Sequence, residues 1–121
     1  MSSITRKVTE ADTAISVGSG NVPVLGTPVL IAWLEAATVA ALELPEGQTS
    51  VGINVNVDHI LASGVGSTIT ATANITEQTE KTVTFEVQAV DQENRPVARG
   101  SVQRAIVNTE RFIDRIPSVP N

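Results

Sequence analysis

Two ionisable side chains stand at positions where the surrounding pattern is apolar. Glu35 interrupts the apolar stretch from Gly26 to Leu44, and a carboxylate inside a buried helix is costly unless it is paired, hydrogen-bonded or protonated. His59 is the single histidine, and it continues an alternation that puts the apolar side chains from Val51 to Val57 on one face. Either residue alone is more often a satisfied structural group than a catalyst. Because both are predicted to face one inner layer, together they indicate a buried acid-base site.

The start of the same stretch offers a second kind of chemistry. Thr27 can act as a helix N-cap, which requires no function, and Pro28 suits the first helical position. The first turn, Gly26 to Pro28, would also present unpaired N–H groups and a partial positive charge that can hold an oxyanion or polarise a carbonyl. Both interpretations of Thr27 remain open from the residues alone.

Two further residues break the pattern of later strands. Gly52 lies inside a predicted strand, where it indicates either a bulge or the close approach of another group to the backbone. Arg104 lies among apolar residues, either as an edge residue that reaches solvent or as the counter-charge of a phosphate or carboxylate. No metal site is expected, because His59 and its neighbour Asp58 would point to opposite faces. No phosphate-binding loop or dinucleotide motif occurs.

One helix is predicted to organise the fold. It extends from Gly26 to Leu44, with Thr27 as its N-cap, and it ends before Pro45 because a proline disfavours the helical conformation of the preceding residue. Apolar residues occur on every side of it, which is typical of a helix that is covered all round. We therefore expect this helix in the centre of the core.

Strands are predicted wherever apolar and polar residues alternate. They are Ser3 to Thr9, Val51 to Val57, Ser67 to Thr76, Thr82 to Asp91 and Val97 to Thr109. The last strand changes phase between Gly100 and Arg104, which predicts a bulge or bend. The order β-α-β-β-β-β predicts an α+β fold, a single domain over residues 1–121 in which a curved antiparallel sheet wraps one central buried helix. A flexible tail is expected over residues 113–121.

Composition excludes several classes of function. A formal charge of −5 and a pI near 4.7 argue against a nucleic-acid partner or an acidic membrane surface. Without cysteine there is neither a disulfide framework nor a thiolate metal site. The first residues lack the apolar segment of a signal peptide, and Glu35 interrupts the longest apolar run before it could span a bilayer. We therefore expect a cytoplasmic protein with no membrane association.

Three stretches of the chain resemble the hotdog-fold acyl-CoA thioesterases, within the branch typified by fluoroacetyl-CoA thioesterase. They read VGSGNVPVLGTPVLIAWLEAA, SVGINVNVDHILASGVG and RGSVQRAIVNTERF, and the similarity extends from Val17 to Phe112. The resemblance implies a hotdog fold and hydrolysis of an acyl-CoA thioester to a free acid and CoA. We expect no cofactor and no metal ion.

The resemblance also implies roles for individual residues. The family's catalytic threonine, glutamate and histidine fall on Thr27, Glu35 and His59. A thioester would lie at the N-terminal end of the helix, where Glu35 and His59 activate water or relay protons and Thr27 positions or attacks the carbonyl. Which residue is the nucleophile and which the base is left unassigned. The implied substrate-binding positions are three glycines and one arginine: Gly26, Gly52, Gly66 and Arg104.

The chain departs from the family pattern at three places. Val102 stands where members commonly carry a histidine, Ser63-Gly64 replaces a Thr-Pro pair, and the loop from Asn21 to Leu25 contains no aromatic residue. Because that loop cannot form a bulky aromatic lid, we expect an acyl group other than fluoroacetyl.

Two other functions fit the same sequence. A non-hydrolytic acyl-CoA-binding or hydratase-like hotdog protein would share the fold, although hydratases of this fold place an aspartate where this chain has Asn54. The third possibility is an interaction module in which Glu35 is bonded across a subunit interface. In every case one helix and one sheet leave a sheet edge open, so we expect at least a homodimer, paired through Ser50 to Ala62.

Overall fold

The computed structural model describes residues 1–120, in which one long helix lies against one antiparallel sheet. The elements in chain order are β1 (Ser2–Lys7), a 3₁₀ turn (Glu10–Asp12), α1 (Ala14–Val17), α2 (Thr27–Ala40), β2 (Gln48–His59), β3 (Thr68–Gln78), β4 (Thr82–Val90), β5 (Pro96–Asn108) and α3 (Thr109–Asp114). The strand order is β1-β3-β4-β5-β2, so β1 and β2 are the edges of the sheet. The predicted α+β class and the helix-on-sheet arrangement are confirmed.

The core forms where one face of α2 meets the sheet. Leu30, Leu34 and Ala37 recur at helical spacing and are fully buried. They pack with sheet residues such as Phe85 and Val102, which are equally inaccessible to solvent. Burying each large side chain of this kind contributes about 1.5–3 kcal/mol, so this face determines how α2 sits on the sheet.

The ends of α2 differ from the prediction. Its N-cap is Gly26, which has no side chain to cap the helix, and Thr27 is already the first helical residue. The prediction of Thr27 as the cap is therefore wrong, and its hydroxyl is free for another partner. At the other end the helix stops at Ala40, before the expected Leu44. The Leu42 N–H donates to the Val39 carbonyl at 3.2 Å, three residues back, so the last turn tightens and the α-helical pattern ends.

One face of α2 is open in the single chain. Its uncovered stripe consists of residues on one side of the helix: Pro28, Ala32 one turn later, and the adjacent pair Val39 and Ala40 two turns after that. The expectation of a helix covered all round is wrong for one protomer, because the sheet reaches only part of its circumference. The stripe is apolar, so it is suited to a contact with another protein surface.

A bulge in β2 changes which side chains face the helix. β2 pairs with β5 as Gly52 to Arg104 and then as Asn54 to Gln103, which leaves Ile53 as an extra residue. Residues before and after a bulge of this type alternate in opposite phase. Gly52 therefore faces α2, and the predicted single apolar face from Val51 through Ile53 to Val57 is wrong in its first half.

The predicted phase change in β5 is absent. The strand pairs with β4 without interruption from Ala98 to Ala105, and the irregularity lies in the neighbouring β2 instead. Gly100 allows the two strands to approach closely, since a methyl group there would collide with the Asn56 carbonyl and lie 2.7 Å from Val57 Cα. The apparent phase change arises because two inward positions of β5 carry Gly100 and Arg104 in place of apolar residues.

The end of the chain begins as a short helix. Residues 113 and 114 of the expected flexible tail belong to α3, and the following residues up to 120 are irregular and exposed. The last residue of that predicted tail, 121, lies outside the described residues. In the described part of the chain no helix has the length and apolarity needed to cross a membrane.

Candidate active site

The start of α2 and the end of β2 bring a hydroxyl and an imidazole together. Thr27 Oγ1 lies 2.8 Å from His59 Nδ1. The pair forms because Gly26, rather than Thr27, occupies the N-cap position and leaves the hydroxyl free. With the ring proton on Nε2, the Thr27 hydroxyl donates to Nδ1, which is the arrangement of a nucleophile beside its base.

The surroundings of His59 favour the neutral ring. Burial lowers the pKa of His59 below its usual value, while the Leu61 backbone acts in the opposite direction with a smaller effect. The Nε2 atom is buried and has no hydrogen-bond partner among residues 1–120. A neutral imidazole can accept a proton from Thr27 at neutral pH, and an unpartnered Nε2 can meet a group supplied by a substrate or a second subunit.

A groove of about 290 Å³ opens beside this pair. Thr27 and His59 form part of its wall, and the remainder is lined largely by aliphatic side chains, including Val22, Leu25 and Leu61. Among residues 1–120, no phenylalanine, tyrosine or tryptophan lines it. The groove therefore offers an apolar surface next to the reactive pair.

Glu35 belongs to a second cluster, with the buried Arg104. Arg104 Nη1 donates to Glu35 Oε2 at 3.3 Å, and the glutamate side chain is 34% exposed. Arg104 is held in turn by Ser50, because its Nε donates to Ser50 Oγ at 2.8 Å and its Nη2 to the Ser50 carbonyl at 3.1 Å. Two of the three guanidinium nitrogens thus fix the arginine, and the third contacts the carboxylate.

Gly52 makes room for that carboxylate. A methyl group added at Gly52 would lie only 2.6 Å from Glu35 Oε2 and 3.6 Å from Arg104 Nη1. Both interpretations of Gly52 from the sequence are therefore correct. The strand bulges next to it, and the Glu35 carboxylate approaches its backbone.

Ser50 was not identified from the sequence. It precedes Gly52 by two residues and so faces the same side of β2, where its hydroxyl reaches Arg104. A polar residue two positions before a strand glycine is the signal that could have indicated it.

The two remaining predicted substrate-binding glycines have local structural tasks. The Gly26 N–H donates to the Asp12 carbonyl at 2.9 Å, and that of Gly66 donates to the Val8 carbonyl at 2.8 Å. Gly66 also has φ of +96°, which favours glycine. At the start of α2 the N–H of Thr27 has no partner within the helix. A role of either glycine in substrate binding stays a prediction.

The three predicted catalytic residues do not meet within one chain. Thr27 and His59 are in contact, but Glu35 lies eight residues along α2 from Thr27, which corresponds to about 12 Å at the usual rise per residue. A single chain therefore contains two partial sites. Among the described residues, no group of three acidic or histidine side chains is arranged to hold a metal ion.

Comparison with known proteins identifies one matching family. The family model described as "FlK: Fluoroacetyl-CoA-specific thioesterase" matches residues 8–110. The solved structure of the fluoroacetyl-CoA thioesterase FlK superposes with a TM-score of 0.86 at 23% identity, over 95% of this chain and 93% of that one. No match was found among curated proteins.

Two other solved structures extend the likeness. A FlK mutant in complex with acetyl-CoA gives a TM-score of 0.88 at 22% identity, covering 94% of this chain and 91% of that one. A hot-dog-like protein from Thermanaerovibrio acidaminovorans gives 0.81 at 24% identity, covering 97% and 90%. These likenesses confirm the hotdog fold expected from the sequence.

Proposed function

The chain belongs to the fluoroacetyl-CoA-specific thioesterase family, and we propose that it hydrolyses its acyl-CoA substrate in sites shared between two copies of the chain. It is a thioester hydrolase. The observation that carries our assignment of the site is the 2.8 Å contact between the Thr27 hydroxyl and His59 Nδ1. This contact supports a hydroxyl nucleophile activated by a neutral histidine.

The proposed reaction has two steps. In the first, Thr27 Oγ1 bonds to the thioester carbonyl carbon while its proton passes to His59, the C–S bond breaks, and CoA leaves as the thiol with that proton. In the second, water attacks the acyl-threonine, the water proton passes through Glu35 of the other subunit and His59 to Thr27 Oγ1 as the C–O bond of the ester breaks, and the free acid departs. The N–H of Thr27 at the start of α2 is suited to stabilise the oxyanion of both steps.

Glu35 would reach this site from the other subunit. The free edge of β2 carries Gly52, which contacts Glu35, and His59, which contacts Thr27. If two β2 strands pair antiparallel about a two-fold axis midway between these residues, Gly52 of each subunit lies opposite His59 of the other. The two partial sites of one chain would then be completed by those of its partner.

The exposed apolar surface supports a homodimer. Ile53 and Val55 on β2 are 52% and 39% exposed, and Val39 on the open stripe of α2 is 51% exposed. An unpaired strand edge flanked by apolar side chains is a usual surface for pairing with a second copy. Light scattering at micromolar protein should give twice the chain mass or a multiple of it, and a monomer would contradict the dimer.

The groove supports an aliphatic acyl group. Its aliphatic lining next to Thr27 and its volume of about 290 Å³ are suited to a short or medium-length chain without strong polar groups. The loop from Asn21 to Leu25 brings no aromatic ring to this groove. We therefore propose a substrate other than fluoroacetyl-CoA. A cytoplasmic location remains a prediction.

Release of free thiol from a panel of acyl-CoAs tests this function. We expect the highest kcat/KM for an aliphatic acyl-CoA, and the absence of turnover with every member would contradict the assigned activity. Thr27→Ser should retain activity because it keeps the hydroxyl, whereas Thr27→Val has a similar shape and should lose it. An active Thr27→Val enzyme would rule out the threonine as nucleophile.

A further inference from the structure

A basic pocket lies where β4 begins and β5 ends. Lys81, Arg111 and Arg115 are three of the eight Lys and Arg residues of the chain, and all three line one cavity of about 470 Å³. Phe112 forms part of the same wall. We use the name basic pocket for this cavity and these four residues. None of them belongs to the two partial sites around Thr27 and Glu35.

The cations of the basic pocket are not neutralised by carboxylates. Among residues 1–120 the ion pairs are Arg95 with Asp91 and Arg104 with Glu35, so all three basic side chains remain without an acidic partner. The acidic residues of α3, Glu110 and Asp114, line separate grooves, one of which also includes Arg111. Three converging positive charges in a chain of net charge −5 are suited to bind phosphate groups.

The aromatic ring of Phe112 indicates which class of ligand the basic pocket binds. Phe112 is 41% exposed beside the basic side chains. An accessible aromatic face can stack on a nucleobase, and neighbouring cations bind its phosphates. A ring and three cations around one cavity therefore fit a phosphorylated nucleotide better than a lone inorganic anion.

The position of the pocket agrees with the length of coenzyme A. Asn108, which lines the pocket, follows Arg104 by four residues on β5, a distance of about 13 Å at the usual rise per residue. The pantetheine arm joins the thioester sulfur to the first phosphate through about thirteen bonds. Four extended residues contain a similar number of backbone bonds, so the extended arm spans about 15 Å. A thioester bound beside Glu35 could therefore place its nucleotide in this pocket.

The same kind of distance indicates which of the two partial sites the basic pocket can serve. His59 pairs with Ala98, which is ten residues before Asn108 on β5 and hence about 33 Å from it. The pantetheine arm cannot span that distance. We infer that the basic pocket binds the 3′-phosphorylated adenosine diphosphate of the CoA substrate, in the site to which the same chain contributes Glu35. This inference rests on the proposed thioesterase function.

A comparison of two thioesters tests the inference. Acetyl-CoA carries the nucleotide and acetyl-pantetheine lacks it. In the double variant Lys81→Ala/Arg115→Ala we expect KM for acetyl-CoA to rise by at least about tenfold, because two charge-assisted hydrogen bonds to phosphate are lost. KM for acetyl-pantetheine should change by less than about twofold. The control Arg99→Ala removes an exposed cation on the outer face of β5, and it should alter neither KM.

Two outcomes would overturn the inference. An unchanged KM for acetyl-CoA in the double variant would show that the basic pocket does not hold the nucleotide. An equal rise of KM for both thioesters would show that the substitutions act on the pantetheine or acyl region instead.

A binding measurement separates this inference from the enzymatic function. Calorimetric titration with adenosine 3′,5′-bisphosphate should detect binding to the natural chain and to Arg99→Ala, and none to Lys81→Ala/Arg115→Ala. Binding that is equal in all three proteins, or absent from the natural chain, would contradict the nucleotide site even if acyl-CoA hydrolysis is observed. Conversely, selective binding would support the site even if the thioesters tested are not hydrolysed.

Discussion

The substitution Gly52→Ala tests whether the position of the Glu35 carboxylate is essential. The new methyl carbon would lie 2.6 Å from Glu35 Oε2, and ordinary van der Waals contact begins at 3.4 Å, so the carboxylate must move by about 0.8 Å. Arg104 Nη1 would lie at an ordinary 3.6 Å and need not move. A displacement of about 1 Å in a catalytic group costs about 100-fold in rate, or about 2.7 kcal/mol.

The assay is the release of CoA, measured as kcat and KM for the best acyl-CoA of the panel. We expect kcat to fall by about 100-fold while the melting temperature and the dimer mass remain close to those of the natural chain. Gly64→Ala is the matched control, since a methyl group there meets nothing within 4 Å and its φ is not positive. A Gly52→Ala enzyme with natural kcat would refute the argument that this glycine exists to admit the carboxylate.

Three further predictions follow from the same contacts. Glu35→Gln should leave the protein folded and dimeric but lower kcat by about two or more orders of magnitude, because an amide accepts no proton at neutral pH; full activity in this variant would show that the carboxylate is structural. Burial lowers the pKa of His59, so kcat/KM should stay level as pH falls to 6.5 and decline only below pH 6.5. Because His59 of the unfolded chain binds its proton at a higher pH than His59 of the folded chain, the free energy of unfolding should also fall as pH is lowered below 6.5. Ser50→Ala should reduce kcat more than it raises KM, because it frees Arg104 Nε, while Ser50→Thr keeps the hydroxyl and should retain most of the activity; similar kinetics in both variants would argue against a positioning role.

Local pattern was sufficient to predict the elements of the fold, but not their irregularities. Alternation along β3 and β4 gave the correct faces, since Ala71 and Val83 are buried as expected. Gly52 indicated a possible bulge, but the extra residue, Ile53, could not be identified, because it depends on how β2 pairs with a strand about fifty residues later in the chain. The same bulge explains why Gly52 contacts Glu35 on the inner face, although strict alternation with Val51 and Val57 would put it on the opposite face.

The sequence was sufficient to identify the residues of the candidate site, but not to predict which of them contact one another. Glu35 and His59 stood out because each interrupts an apolar pattern. Their contacts, however, join residues far apart in the chain: Thr27 with His59 over 32 positions, and Glu35 with Arg104 over 69. Thr27 was ambiguous for a different reason, since a helix can begin at either of two adjacent residues, and only the choice of Gly26 as cap frees the hydroxyl.

Mixing two inactive variants tests whether the active site is shared between subunits. In a heterodimer of Glu35→Gln and His59→Ala chains, one site would carry both defects, while the other would combine the intact Glu35 of one chain with the intact His59 of the other. Equal amounts of the two chains should form heterodimers in about half of all dimers, each with one working site of two, so about a quarter of the natural activity should return. The chains must be refolded or expressed together to exchange subunits, and each variant alone provides the baseline. If Glu35 and His59 of a single chain formed the site, both sites of the heterodimer would carry one defect and no activity would return. The roughly 12 Å between Thr27 and Glu35 along α2 is why we expect recovery.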